Sequence, residues 1–217
     1  MKTKKIMIAL LIIIAVCFLA GEITDRSREA TTAYGWELIL VNGDNIIPED
    51  YEVNLLTLSN GQQVDERIYP DLQEMFDDMR REGHSPVVVS GYRSNNEQKV
   101  ILKDKIKEYT DDGYPKAVAE KLALQWVAKP GTSEHQLGIA VDINPDYSVS
   151  KGWGFYNWLK DNAHKYGFIK RYPDDKTDIT GISNEPWHYR YVGKEAAKII
   201  FEKNLCLEEY IENYIVS

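Results

Sequence analysis

An α+β domain built on a small antiparallel sheet is the fold class that this 217-residue sequence predicts. Three observations carry it: stretches of helical period early and late in the chain, several short β-branched or aromatic runs among them, and turn residues at the boundaries. The length suits one domain with a proper core and is too short for two ordinary ones. A hydrophobic share of 43% and a charged share of 28% belong to a globular chain.

The chain opens with Lys2, Lys4 and Lys5, followed by fifteen uncharged apolar residues from Ile6 to Ala20. This pattern directs export and leaves the lysine end on the cytoplasmic side. A cut after Ala20 would set bulky Phe18 where a small residue is required, so residues 1–20 read first as an uncleaved membrane anchor. The run is short for a span, and the alternative is a cleaved signal and a secreted domain. Cys17 lies inside the run, which argues against lipoprotein attachment. Residues 21–35 are polar without period and read as a stalk, which leaves 36–217 as the extracytoplasmic domain. There Cys206 has no partner for a disulfide, so stability must come from the core. Without the three leader lysines the net charge passes from −8 to −11, because residues 1–20 hold no acid. That balance excludes non-specific binding of nucleic acid. A monomer is expected.

Along the domain, 36–41 reads as a strand closed by the turn signal Asn42-Gly43, and a second apolar stretch at 51–58 is closed by Asn60-Gly61. Leu72, Met75, Phe76 and Met79 predict a core-facing helix over 71–82, stopped by Gly83. The β-branched run 86–90 reads as a buried strand that delivers Gly91-Tyr92-Arg93-Ser94. Helices are expected at 96–109 and 115–127, divided by Asp111-Asp112-Gly113. A strand follows at 140–143, then a helix at 153–165 with Phe155, Tyr156, Leu159 and Ala163 inward. Strands at 168–172 and 187–192 flank the loop 173–184, and helices close the chain at 194–204 and 207–214.

His135, Asp142, Glu185 and His188 carry the chemistry. Two histidines and one carboxylate can bind a catalytic zinc while leaving a coordination position for water, and Glu185 is near enough in sequence to His188 to act as base. His135 and Asp142 are seven residues apart, so on one unbroken strand they would face opposite ways; Gly138 supplies the necessary bend. Pro186 pushes Glu185 into extended backbone, which makes Glu185-Pro186-Trp187-His188 a strand entry instead of a helical zinc motif. On that strand His188 and Arg190 share one face, while Trp187, Tyr189 and Tyr191 pack on the other. Arg93 stands at a strand-to-loop corner where a guanidinium can hold a carboxylate through two hydrogen bonds. His84 reads as a turn residue and His164 as a helix-end residue.

Ser90-Gly91-Tyr92-Arg93-Ser94, Ser133-x-His135-x-x-Gly138-x-Ala140-x-Asp142 and Glu185-Pro186-Trp187-His188-Tyr189-Arg190-Tyr191-Val192-Gly193 together resemble the VanY-type D-alanyl-D-alanine carboxypeptidases, zinc peptidases of the M15 family. The resemblance covers roughly residues 50–205. It implies a zinc fold shared with the hedgehog domains and one zinc ion held by His135, Asp142 and His188. It further implies Glu185 as general base and Arg93 as the group that stabilises the substrate carbonyl or its neighbouring carboxylate. Gln98 and Ser133 match positions that hold the terminal carboxylate, and Tyr172 resembles a tyrosine bordering the pocket. The implied activity is release of the C-terminal D-Ala from peptidoglycan stem peptides or their precursors, with glycopeptide resistance as an implied role. An LD-carboxypeptidase or a wall endopeptidase could use the same zinc. A non-catalytic zinc-stabilised binding domain is the distant alternative, against which the retained Glu185 argues.

Overall fold

The computed structural model describes residues 28–149 and 152–216. The expected membrane anchor or signal segment at 1–20 and the first residues of the expected stalk lie outside that range. Among the described residues no helix is long and apolar enough to cross a membrane. Strand β1 (Arg28–Glu29) pairs in parallel with β2 (Asn45–Ile46), and Ala30 is buried in the main core. The fold therefore starts within the 21–35 stretch expected as a stalk, because Ala30 finds apolar cover.

The expected strand at 36–41 is absent. Trp36–Leu38 forms a single 3-10 turn, and the carbonyls of Glu37 and Ile39 accept from the Arg190 guanidinium at 2.8 and 2.9 Å. Carbonyls spent on a side chain cannot build a ladder. Strands β3 (Leu55–Thr57) and β4 (Gln63–Asp65) form a hairpin across the Asn60-Gly61 turn.

Helix α1 (Tyr69–Arg81) has Pro70 in its first turn and buries Leu72, Met75, Phe76 and Met79, the stripe read from the sequence. Strand β5 (Pro86–Ser90) follows. Helix α2 (Asn95–Asp111) opens with a capping box in which Ser94 Oγ accepts from Glu97 N and the Glu97 carboxylate accepts from Ser94 N at 2.7 Å. Helix α3 (Lys116–Ala123) returns alongside it. Strand β6 (Ala140–Pro145), helix α4 (Phe155–Asn162), strand β7 (Phe168–Lys170), the short α5 (Thr177–Thr180), strand β8 (His188–Tyr191), α6 (Lys194–Lys203) and α7 (Leu207–Tyr210) follow, and a π-helical turn (Ile211–Val216) ends the described chain.

The main sheet runs β5-β6-β8-β7, antiparallel throughout, which is the α+β arrangement expected. Strand β5 is an edge strand, not a buried one, and a bulge between Val88 and Ser90 turns Val89 to solvent. One sheet face, with Val88, Val141, Ile143, Tyr189 and Phe168, packs on α1 and α4. Trp158 of α4 is buried there, while the expected inward residue Tyr156 only flanks the core. The opposite face gathers Ile169 with Ala197 and Ile200 of α6 and Leu207 of α7 into a second cluster. That face also carries the polar site.

Candidate active site

Three neighbouring strands place the centre of the site. Ser90 lies opposite Asp142, and Asp142 opposite His188, so a hydroxyl, a carboxylate and an imidazole stand in one cross-strand row. His135 joins them from the 3-10 turn Glu134–Leu137, after which Gly138 at φ 73 reverses the chain into β6. This left-handed glycine is the bend that the odd spacing of His135 and Asp142 requires. The Arg93 corner is tied to the same turn by Arg93 N donating to the His135 carbonyl at 3.2 Å.

His135, Asp142 and His188 are buried, and one ligand atom from each lies within 4.8 Å of the others. His135 Nδ1 sits 2.7 Å from the Gly91 carbonyl. A carbonyl only accepts, so Nδ1 carries the proton and Nε2 presents its lone pair toward Asp142 Oδ2, 3.4 Å away. His188 is turned the other way: its Nδ1 lies 3.1 Å from Asp142 Oδ1 and 3.7 Å from Glu185 Oε2. Two nitrogens and one carboxylate oxygen, converging and otherwise shielded, form a donor set that suits zinc.

The electrostatics favour a cation at this point. Burial alone would raise the Asp142 carboxyl, yet His135 and His188 hold it well below the usual carboxylate range. Burial pushes the His135 imidazole down, in keeping with a neutral ligand. Burial would also lower His188, but Asp142, Glu134 and Glu185 around it push it up to about 9. Glu185 is pushed up to about 7 by burial, with His188 and Arg93 opposing and Asp142 adding. A carboxyl at that value can take and return a proton near neutrality.

Glu185 is held by its own N–H on the Tyr172 carbonyl at 3.1 Å, and its carbonyl accepts from His188 N at 3.3 Å. Pro186 and Trp187 thus form a tight turn for which proline's fixed φ is suited. The strand begins at His188, one residue later than expected, and Trp187 leaves the packing face for the cleft.

All eight residues singled out from the sequence border one cleft of about 480 Å³. Arg93 donates through Nε to Ser90 Oγ and through Nη2 to Asp142 Oδ2, both at 2.8 Å, with Nη1 3.5 Å from Gln98 Oε1. Buried Gln98 gives its amide nitrogen to the Ala128 carbonyl at 2.8 Å. Ser133 is buried beside His135, and the Tyr172 ring lies 4.8 Å from that of His188. The remaining histidines lie elsewhere, His84 edge-on to Phe155 and His164 stacked on Phe201.

Two groups escaped the reading of the sequence. Ile101, Lys105 and Tyr109 form the far wall of the cleft with Trp126 and Trp187. Their signal was present, since 98, 101, 105 and 109 follow a single helix face. Glu134 lies behind His188 and is fully buried between Arg171 and Arg190; only its place beside His135 pointed to it.

Gly91 links fold to site. A Cβ there would stand 2.1 Å from the Gln63 carbonyl oxygen, which already accepts from Tyr92 N. Gly91→Ala is therefore expected to push the hairpin away and draw the Gly91 carbonyl off His135. The expected cost is about 1–3 kcal/mol in urea unfolding, together with weaker metal retention in a chelator competition.

Fold and site together define a mononuclear metallohydrolase: an imidazole pair, a carboxylate and a poised carboxyl lining one cleft. Comparison with known proteins gives the family. The family model described as VanY, D-alanyl-D-alanine carboxypeptidase, matches residues 61–194. A D-alanyl-D-alanine carboxypeptidase of Enterococcus faecalis is 56% identical over 185 residues, 85% of this chain and 69% of that protein. The D,D-pentapeptidase VanY of a VanB-type resistance cassette, solved as a Glu-to-Ala variant with Zn(II), superposes with a TM-score of 0.80 at 56% identity, covering 82% of this chain and 99% of that one. VanYB in complex with D-alanine-D-alanine superposes at 0.81 with 55% identity, covering 83% and 99%. The chain belongs to the VanY family of D-alanyl-D-alanine carboxypeptidases.

Proposed function

We propose that this protein is a zinc-dependent D-alanyl-D-alanine carboxypeptidase that removes the C-terminal D-Ala from peptidoglycan stem peptides or their precursors. The observation that carries the reading is the convergence of His135, Asp142 and His188 within 4.8 Å of one another, with the Glu185 carboxylate 3.7 Å from His188, in a chain of this family. His135 Nε2, an Asp142 oxygen and His188 Nδ1 would hold the zinc. When bound, zinc polarises the scissile carbonyl and acidifies water. Glu185 accepts the proton of the attacking water and returns it to the departing amine. Arg93, Gln98 and Ser133 receive the free carboxylate, which selects a chain end over an internal bond. Tyr172 borders this pocket, and the far wall of α2 with Trp126 leaves room for the peptide upstream of the cut.

The cationic flank and apolar run of residues 1–20 support placing this catalysis outside the cell, on a membrane anchor. A monomer suffices, since all eight site residues come from one chain. Removal of the terminal D-Ala would destroy the D-Ala-D-Ala end to which glycopeptide antibiotics bind, and would so contribute to resistance.

Product analysis on pentapeptide and tetrapeptide stems, with and without a chelator, tests the reading. The expected result is D-Ala release from the pentapeptide alone, abolished by chelation and restored by zinc. Release from the tetrapeptide would overturn the D,D assignment in favour of an LD-carboxypeptidase, and chelator-resistant release would overturn the metal.

A further inference from the structure

The face of His188 turned away from the site meets Glu134. That carboxylate is bound asymmetrically: Oε1 accepts from Arg171 Nε and from Arg190 Nη1, both at 2.8 Å. Oε2 is buried and has no hydrogen-bond partner, and the same holds for His188 Nε2. These two orphaned atoms face each other at 3.6 Å. A buried donor and acceptor without partners cost about 1–3 kcal/mol each, whereas a shift of under about 1 Å would pair them.

The carboxylate has little freedom to turn elsewhere. Arg171 is clamped by Glu208 at 2.6 and 2.8 Å, and Arg190 donates to the Glu37, Ile39 and Tyr191 carbonyls at 2.8 to 2.9 Å. Two guanidiniums, one fixed by residues early in the chain and one by a residue late in it, thus hold Oε1 and leave Oε2 aimed at the imidazole. A histidine that binds metal through one nitrogen needs its other N–H accepted, because that bond fixes both tautomer and ring orientation.

We propose that Glu134 is a positioning residue for His188: its Oε2 accepts the Nε2–H, so that Nδ1 is left unprotonated and aimed at Asp142 and the metal. The proposal rests on the zinc reading above. Glu134 belongs neither to the metal-ligand cluster nor to the lining of the cleft. Its bland alternative is a counter-ion for Arg171 and Arg190, with no bearing on His188.

Glu134→Gln separates the two. The amide oxygen can still accept from both guanidiniums, but an NH₂ group then confronts the His188 N–H. Zinc affinity, measured by competition with a chromophoric chelator on protein shown to be folded by circular dichroism, is expected to fall by about 10–100-fold. Glu208→Gln removes charge from the same network without touching His188 and is expected to lower the urea midpoint with zinc affinity unchanged. Equal affinity in wild type and Glu134→Gln would overturn the proposal, as would equal losses in the two variants. A wild type that binds no zinc would instead overturn the reading on which it rests. If Glu134→Gln fails to fold, ¹⁵N-histidine spectra of the zinc-loaded wild type decide. Nδ1 coordinated with a slowly exchanging Nε2–H supports the proposal, and coordination through Nε2 or a rapidly exchanging proton refutes it.

Discussion

Glu185→Gln is expected to lower kcat for D-Ala release by about 10²–10⁴-fold with KM changed only a few-fold, because it removes proton acceptance and leaves shape intact. Zinc affinity should stay near that of wild type, since the three ligand atoms come from other residues. The pH profile offers a second readout. Glu185 must be ionised to act, so kcat/KM rises with pH along an acidic limb. Burial pushes its carboxyl up to about 7, and a dication nearby favours the ionised form, so the limb falls at or below that value and vanishes in the variant. Stability should move the other way. The carboxyl ionises from about 4.5 when unfolded and from about 7 when folded, so the unfolded state is the first to lose its proton and stability falls as pH rises between them. Metal-free Glu185→Gln escapes that loss, and its urea midpoint should exceed that of wild type more at pH 8 than at pH 5. Unchanged turnover in the variant would remove Glu185 from the mechanism.

The contrast between Glu185 and Glu134 shows what the sequence could and could not reveal. Glu185 announced itself through Pro186, whose local geometry is readable from two residues, and through a histidine three positions on. Gly138 was legible for the same reason: parity between His135 and Asp142 demanded a bend, and φ 73 at that glycine provides it. Helix α1 was legible because Leu72, Met75, Phe76 and Met79 all meet one core. What failed was non-local. The segment 36–41 has strand-like composition, yet its carbonyls are taken by Arg190, about 150 residues later. Glu134, Arg171 and Glu208 look like surface charges in the sequence, and although the strand period sets Arg190 on the face of His188, the network the four form follows only from the way the sheet brings β7, β8 and the turn before β6 together with α7. The far wall of the cleft lay between these cases, periodic but without chemistry to mark it.

Arg171→Met should produce the largest loss of stability, about 3–5 kcal/mol in urea unfolding. Arg171 is fully buried and lies between two carboxylates, with Nε on Glu134 Oε1 at 2.8 Å and its two terminal nitrogens on Glu208 at 2.8 and 2.6 Å. Methionine fills much of the volume but leaves Glu208 without a guanidinium, its remaining side-chain partner being Asn42 at 3.2 Å, and Glu134 with Arg190 as its one guanidinium. The cost is that of an uncompensated buried charge, not of a missing contact, and this makes a second variant informative. In Arg171→Met with Glu208→Met the surplus carboxylate is removed as well, Glu134 keeps Arg190 as its partner, and about 2 kcal/mol or more should return. Because Arg171 Nε also holds Glu134 Oε1 at 2.8 Å behind His188, the single variant should loosen zinc along with the fold. If the double variant is no more stable than the single one, packing around Arg171 holds α7 to the sheet; recovery shows that charge balance does.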